Sequence, residues 1–139
     1  MPPAAIARSA IVPLLAGQSL RTEQVSQLVL GETAAVLESD GEWRRLRTAI
    51  DGYEGWAHIG YLRETGDVEA ERWRAAANAW SLDAVIELGD QRVPLPLRAR
   101  VSLESGMVCL PDGRQGPLVT GVVTPGADLA ASEIGRAHV

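Results

Sequence analysis

Apolar and polar positions alternate in short runs along most of the chain, and turn residues interrupt them at close intervals. "IVPLLAG" ends at Gly17 and "QLVLGE" carries Gly31. "TAAVLESDGEW" holds Asp40-Gly41, a tight-turn dipeptide between two strand-like runs. Ala34 and Val36 fall on one strand face. After the turn, Leu46, Thr48 and Ile50 share a face while Trp43, Arg45 and Arg47 point the other way. Asp51-Gly52 makes another turn, and "YEGWAHIGYL" follows as a last strand closing in a short 3₁₀ turn. Turns recur about every 10 residues, the rhythm of a small barrel or sandwich.

The pattern changes at "DVEAERWRAAANA", Asp67 to Ala79. Asp67 can cap a helix, Glu69 and Glu71 suit its first turn, and the alanines favour helix. The stretch reads as a short helical linker, an extended linker being the alternative. Trp73 and Trp80 flank it and are expected to dock the units on either side. Strand-like runs then return: "DAVIEL", "RVPLPLRARVSL", "MVCL" and "PLVTGVV", with turns at Gly89-Asp90, Ser105-Gly106 and Asp112-Gly113. Pro94 and Pro96 bar the second of these runs from the middle of a sheet, because proline donates no ladder hydrogen bond.

The two halves echo each other. Asp51-Gly52-x-x-Gly55-x-x-x-x-Gly60 recurs as Asp112-Gly113-x-x-Gly116-x-x-x-x-Gly121, and Leu37-Glu38-Ser39-Asp40-Gly41 as Leu103-Glu104-Ser105-Gly106. Single Asp-Gly matches are common in hairpins. Two matches in the same order favour a tandem repeat of units of about 60 residues, near the lower limit for independent folding. The expected fold is all-β: two small barrels in tandem joined by a short helical linker. Residues 1–64 form the first barrel, 65–79 the linker, 80–126 a divergent second barrel and 127–139 a disordered tail.

Composition narrows the functional classes. The chain has 139 residues, 14 Gly, 8 Pro and no Phe, consistent with a turn-rich β protein. A net charge of −5 disfavours nucleic acid as a partner. One cysteine, Cys109, excludes an intrachain disulfide. No stretch is long enough to span a bilayer, and the N-terminus lacks a basic region and a clean apolar run. A cytoplasmic location is therefore expected, an extracytoplasmic one staying open, with no membrane partner.

"SQLVLGETAAVLESDGEWRRLRTAIDGYEGWAHIGYL" resembles the bacterial SH3-like (SH3b) domain over roughly residues 6 to 64. The residues that carry the resemblance are Gln27, Gly31-Glu32, Gly41-x-Trp43, Leu46 and Asp51-Gly52-Tyr53-x-Gly55-Trp56. The second half resembles a divergent copy with Pro117 where the first has Trp56. A tandem of this kind is similar to the front end of NlpC-type cysteine peptidases, which cut bacterial cell-wall peptides next to γ-D-glutamyl residues. The resemblance implies a missing C-terminal peptidase domain in the same chain and a cell-wall-derived peptide as partner. It implies that Tyr53, helped by a carboxylate from Glu32 or Glu23 and flanked by Trp56, holds the free amine of the peptide. A phenol oxygen and a carboxylate together suit an ammonium. Tyr53 can equally be an amphipathic barrel-rim residue, and Trp56 reads as largely structural. The function expected is that of the non-catalytic N-terminal region of such an endopeptidase; the alternative is a free-standing module binding wall peptide or a protein ligand.

No catalytic centre can be assembled from the chain itself, and no cofactor is implied. Cys109 reads as a buried, inert strand cysteine. His58 reads as a hydrogen-bonded residue of the closing turn, since a general base needs a partner nucleophile. One Cys and one His do not make a metal site. The run Arg44, Arg45 and Arg47 reads as a solvated face. Finally, Glu133 to Val139, "EIGRAHV", reads as the translation of a short-read sequencing adapter, so these residues, His138 among them, are set aside as a scar.

Overall fold

A computed structural model describes residues 3–125; the tail and the scar assigned above lie outside the described residues. The first unit has seven strands: β1 (Pro3–Ala7), β2 (Ile11–Leu15), β3 (Gln24–Val29), β4 (Thr33–Asp40), β5 (Trp43–Thr48), β6 (Glu54–His58) and β7 (Leu62–Gly66). They form one antiparallel sheet in the order β3-β2-β6-β5-β4-β1-β7. All seven contribute to a single core, including Ala5, Val12, Leu14, Leu28, Leu46 and Leu62. The sheet must therefore curl over on itself, because strands at its two ends share the same interior.

Period-2 alternation places these side chains. Leu46 and Thr48 are buried on β5, whereas Ile50 lies past the strand's end and is exposed, against the expectation that it continues the inner face. Two strands were not legible. β1 pairs with both β4 and β7, and its residues Ala4 to Ala7 are all buried. One face of β1 points into the core and the other, through Ile6, packs on the linker helix. A strand covered on both sides shows no alternation. β7 follows the 3₁₀ turn Ile59–Tyr61 and depends on that same distant partner.

The helix α1 (Asp67–Ala76) separates the sheets. Gly66, not Asp67, is its N-cap and makes no side-chain cap bond; Asp67 and Glu69 sit in the first turn, where negative charge suits the helix dipole. The helix stops before the expected Ala79. Asn78 exchanges two hydrogen bonds with the backbone of Leu103, at 3.1 and 2.8 Å, which leads the chain into the next sheet.

The second unit comprises β8 (Ala79–Ser81), β9 (Val85–Leu88), β10 (Gln91–Pro94), β11 (Arg100–Glu104), β12 (Met107–Cys109), β13 (Gln115–Thr120) and β14 (Val123–Pro125). Its order is β10-β9-β13-β12-β11-β8-β14. Renumbered from one to seven, this is the order of the first sheet, so the repeat extends from glycine spacing to topology. "RVPLPLRARVSL" is two strands, the first an edge strand ending at Pro94. Gly55 pairs with Leu46, and Gly116 with Val108, at equivalent places. A Cβ at Gly55 would lie 2.9 Å from the Leu14 Cβ, and one at Gly116 1.8 Å from the Glu87 carbonyl oxygen. Close approach of a crossing strand therefore explains this repeated glycine. Cys109 is half-buried rather than buried, because its neighbours Val108 and Leu110 take the inward positions.

The units are docked through the β3–β4 turn rather than through the two tryptophans. Val29 and Leu30 belong to the core of the second unit. The Arg100 N–H donates to the Leu30 carbonyl at 2.8 Å. Gly31 has φ +87°, and a Cβ there would fall 1.9 Å from the Arg100 carbonyl oxygen. Trp73 Nε1 donates to the Gly31 carbonyl at 2.8 Å and ties the helix to the first unit. Trp80 is fully buried in the second unit, with the Arg100 guanidinium 5.0 Å above its ring. Arg100 also donates to the carbonyls of Ala77 and Arg74. Arg63 adds a bond to the Pro111 carbonyl at 2.6 Å.

Candidate functional site

Strand β6 turns Gly55 and Ala57 inward, so Glu54, Trp56 and His58 face outward. Trp56 is half-buried there, opposite Arg45 on β5 and Leu15 on β2. Tyr53 lies ahead of the strand, where alternation does not govern its direction, and its side is open: the residue is 58% exposed. Its backbone is fixed by Thr48, whose N–H donates to the Tyr53 carbonyl at 2.9 Å and whose hydroxyl oxygen accepts the Tyr53 N–H at 3.0 Å. The Thr48 hydroxyl donates in turn to the Asp51 carboxylate.

This turn forms one wall of a cleft of about 350 Å³. The other walls are the end of β3 from Ser26 to Val29, Glu32, and Arg98 from the second unit. Glu32 is half-buried, and one carboxylate oxygen accepts the Val29 N–H at 2.7 Å. Burial pushes its pKa up from 4.5, and the negative charge of Asp51 adds to the rise; the Val29 N–H, Arg98 and Arg100 oppose it. The cleft thus joins two carboxylates and a guanidinium.

Of the four residues singled out in the sequence, Glu32 lines the cleft and Tyr53 is anchored to its wall through Thr48. Glu23 is exposed just ahead of β3, where its carbonyl accepts the Ala16 N–H. Trp56 sits on the outer face of β6, on neither wall of the cleft. Asp51 and Arg98 are cleft residues that the sequence did not single out. Asp51 was absorbed into its Asp-Gly turn, and Arg98 comes from the other unit with no local signal.

His58 is a structural side chain. Its Nδ1 accepts the Gly60 N–H at 3.0 Å, capping the 3₁₀ turn, so Nε2 carries the proton that meets Glu42 at 2.8 Å. The arginine run is neutralised across strands, Arg44 by Glu64, Arg45 by Glu38 and Glu54, and Arg47 by Glu54. The face it forms is an ion-pair lattice and not a basic patch. Among the described residues no group of three or more His, Cys, Asp or Glu comes together, and no helix is long and apolar enough to cross a membrane.

Two curled antiparallel sheets of identical strand order define a tandem of SH3-like units. Residues 14–65, within the first unit, match the family described as the bacterial dipeptidyl-peptidase Sh3 domain. Solved structures that match include the crystal structure of an NlpC/P60 family protein from Bacillus cereus ATCC 10987, with a TM-score of 0.68 and 16% identity. That match covers 88% of this chain and 57% of the other, so the chain spans little more than half of that protein's length. No curated protein matches the sequence.

Proposed function

We propose that this chain is the non-catalytic region of a bacterial cell-wall-peptide hydrolase, a cysteine endopeptidase acting next to γ-D-glutamyl residues, and that its first unit restricts and orients the peptide. The match of residues 14–65 to a peptidase-associated SH3 domain carries this reading. In it, the free amine of the peptide is held by the Tyr53 phenol oxygen and the Glu32 carboxylate. Glu32 is preferred to Glu23 because it is half-buried in a cleft whose wall also anchors Tyr53, whereas Glu23 faces solvent. A half-buried carboxylate lacking full solvation gains more from an ammonium than an exposed one does. Bond cleavage belongs to a peptidase domain in the same parent protein.

The experiment is a kinetic comparison in the parent enzyme, recovered by reading its gene past this fragment. Tyr53→Phe should lower kcat/KM about tenfold, the cost of one charge-assisted hydrogen bond, while the fragment alone should not cleave a γ-D-glutamyl peptide. Unchanged kinetics in the variant, or cleavage by the fragment, would contradict the reading. A stop codon shortly after Pro125 would instead favour a free-standing binding module.

A further inference from the structure

We infer that His58 is a pH-operated latch on the turn between β6 and β7. The neutral ring holds the turn closed by accepting the Gly60 N–H on Nδ1, at 3.0 Å, and a second ring proton releases it. Histidine is the side chain whose charge changes within the ordinary range of cellular pH, and an imidazolium has two N–H donors and no acceptor. The latch needs no bound peptide and stands apart from the amine-holding reading.

The ring is held from several sides. Nε2 donates to the Glu42 carboxylate at 2.8 Å, and the rings of Trp43 and Tyr61 meet the imidazole edge-on, with centroids 5.4 and 6.4 Å away. The Glu42 bond is made by the Nε2–H in both charge states, so it keeps the ring in register while Nδ1 changes from acceptor to donor. The Nδ1–H then faces the Gly60 N–H, donor against donor, and the turn has to yield. Gly60 is fitted to this contact, since a Cβ there would lie 3.1 Å from His58 Nδ1. The other charges about the turn supply no substitute acceptor. The Arg8 guanidinium donates to the Gly60 carbonyl at 3.1 Å, and Arg45 on the same outer face is held by Glu38 and Glu54.

The second unit builds the corresponding turn without an imidazole. In the glycine frame Gly121 corresponds to Gly60 and Val119 to His58. There Gly121 takes φ +82° and the Asp83 carboxylate accepts the Val122 N–H at 2.7 Å, with no 3₁₀ turn between β13 and β14. The imidazole is therefore a feature of the first copy and not a requirement of the fold. What the turn holds gives the latch its consequence. Leu62 begins β7, which leads straight into α1, and Arg63 donates to the Pro111 carbonyl of the second unit at 2.6 Å. Release of the turn in acid loosens the start of β7 and, through Arg63, one of the contacts that join the units.

NMR of the full chain from about pH 8 to about pH 5 tests the latch. At the start His58 should be the Nε2–H tautomer, and the Gly60 amide should then shift with the midpoint of the His58 ring. Its protection from hydrogen exchange, corrected for the intrinsic effect of pH, should fall about tenfold across that midpoint, the loss of one hydrogen bond. His58→Asn keeps an oxygen that accepts the same N–H, as asparagine does at helix starts, and has no proton to gain. In that variant the Gly60 amide should stay protected and unchanged with pH, and the ring signals that persist are those of His138. Glu42→Gln keeps a partner for the Nε2–H without the charge, and release at Gly60 should survive in it. A Gly60 amide that stays constant while His58 titrates overturns the latch, as does an equal pH response in His58→Asn. If thermal unfolding shows that His58→Asn does not fold, the native chain and Glu42→Gln decide: loss of the response in Glu42→Gln assigns it to the carboxylate and overturns the latch.

Discussion

Glu32 concentrates the chemistry of the cleft in one titratable side chain. Its pKa is raised in the fold, mainly by burial. Between 4.5 and the folded value, the folded chain therefore holds more protons on this group than the unfolded chain does, and stability falls as pH rises through that window. Glu32→Gln keeps an oxygen for the Val29 N–H and removes the ionisation. Its stability relative to the native chain should be lowest in acid and increase with pH, levelling off above the folded pKa of Glu32. Urea unfolding of both proteins across this range measures the difference; a flat difference would mean that the fold does not perturb the group. Ligand capture runs the other way and strengthens as pH rises through the window, because only the ionised carboxylate attracts an ammonium.

At the scale of elements, the repeated glycine on β6 and β13 separates two kinds of crowding. An added methyl at Gly55 meets Leu14 Cβ at 2.9 Å, Val25 Cγ2 at 3.1 Å and the Leu14 backbone carbon at 3.3 Å. At Gly116 it meets the backbone oxygen of Glu87 at 1.8 Å. Shifts of a few tenths of an ångström relieve contacts near 3 Å, whereas an overlap as deep as the one at Gly116 requires the strand backbone to move with its ladder. Gly55→Ala should cost about 1–3 kcal/mol, the usual range for overpacking, and Gly116→Ala clearly more. Equal costs in chemical denaturation would show that the crossing of β9 and β13 is looser than the geometry indicates. These glycines were legible as a spacing, and so were the Asp-Gly turns and the inward Leu46. Strands β1 and β7 were not, because β1 is covered on both faces and β7 depends on it from some 55 residues away.

The whole molecule is held by a small junction. Val29 and Leu30 enter the second core, and Gly31 lets the turn press against Arg100. Gly31→Ala introduces a side chain both at φ +87° and into the Arg100 carbonyl, so the turn must withdraw. The loss should exceed about 1 kcal/mol, and the units should uncouple. Calorimetry is expected to show one cooperative transition for the native chain and two for the variant; a single transition in both would mean that the helix and Arg63 suffice to couple the units.

Period-2 alternation, Asp-Gly turns and a repeated glycine frame by themselves determined that this chain is all-β and built twice over. Those signals depend on residues a few positions apart, where the pleat and the turn geometry act. The cleft was decided only by tertiary structure. Glu32, Asp51 and Arg98 belong to three separate loops, and their meeting depends on a sheet curled over on itself and a second unit seated on Val29 to Gly31. Tyr53 shows the division in one residue. Its place in the motif was visible along the chain, while its attachment to a carboxylate-lined wall came from the hydrogen bonds of Thr48.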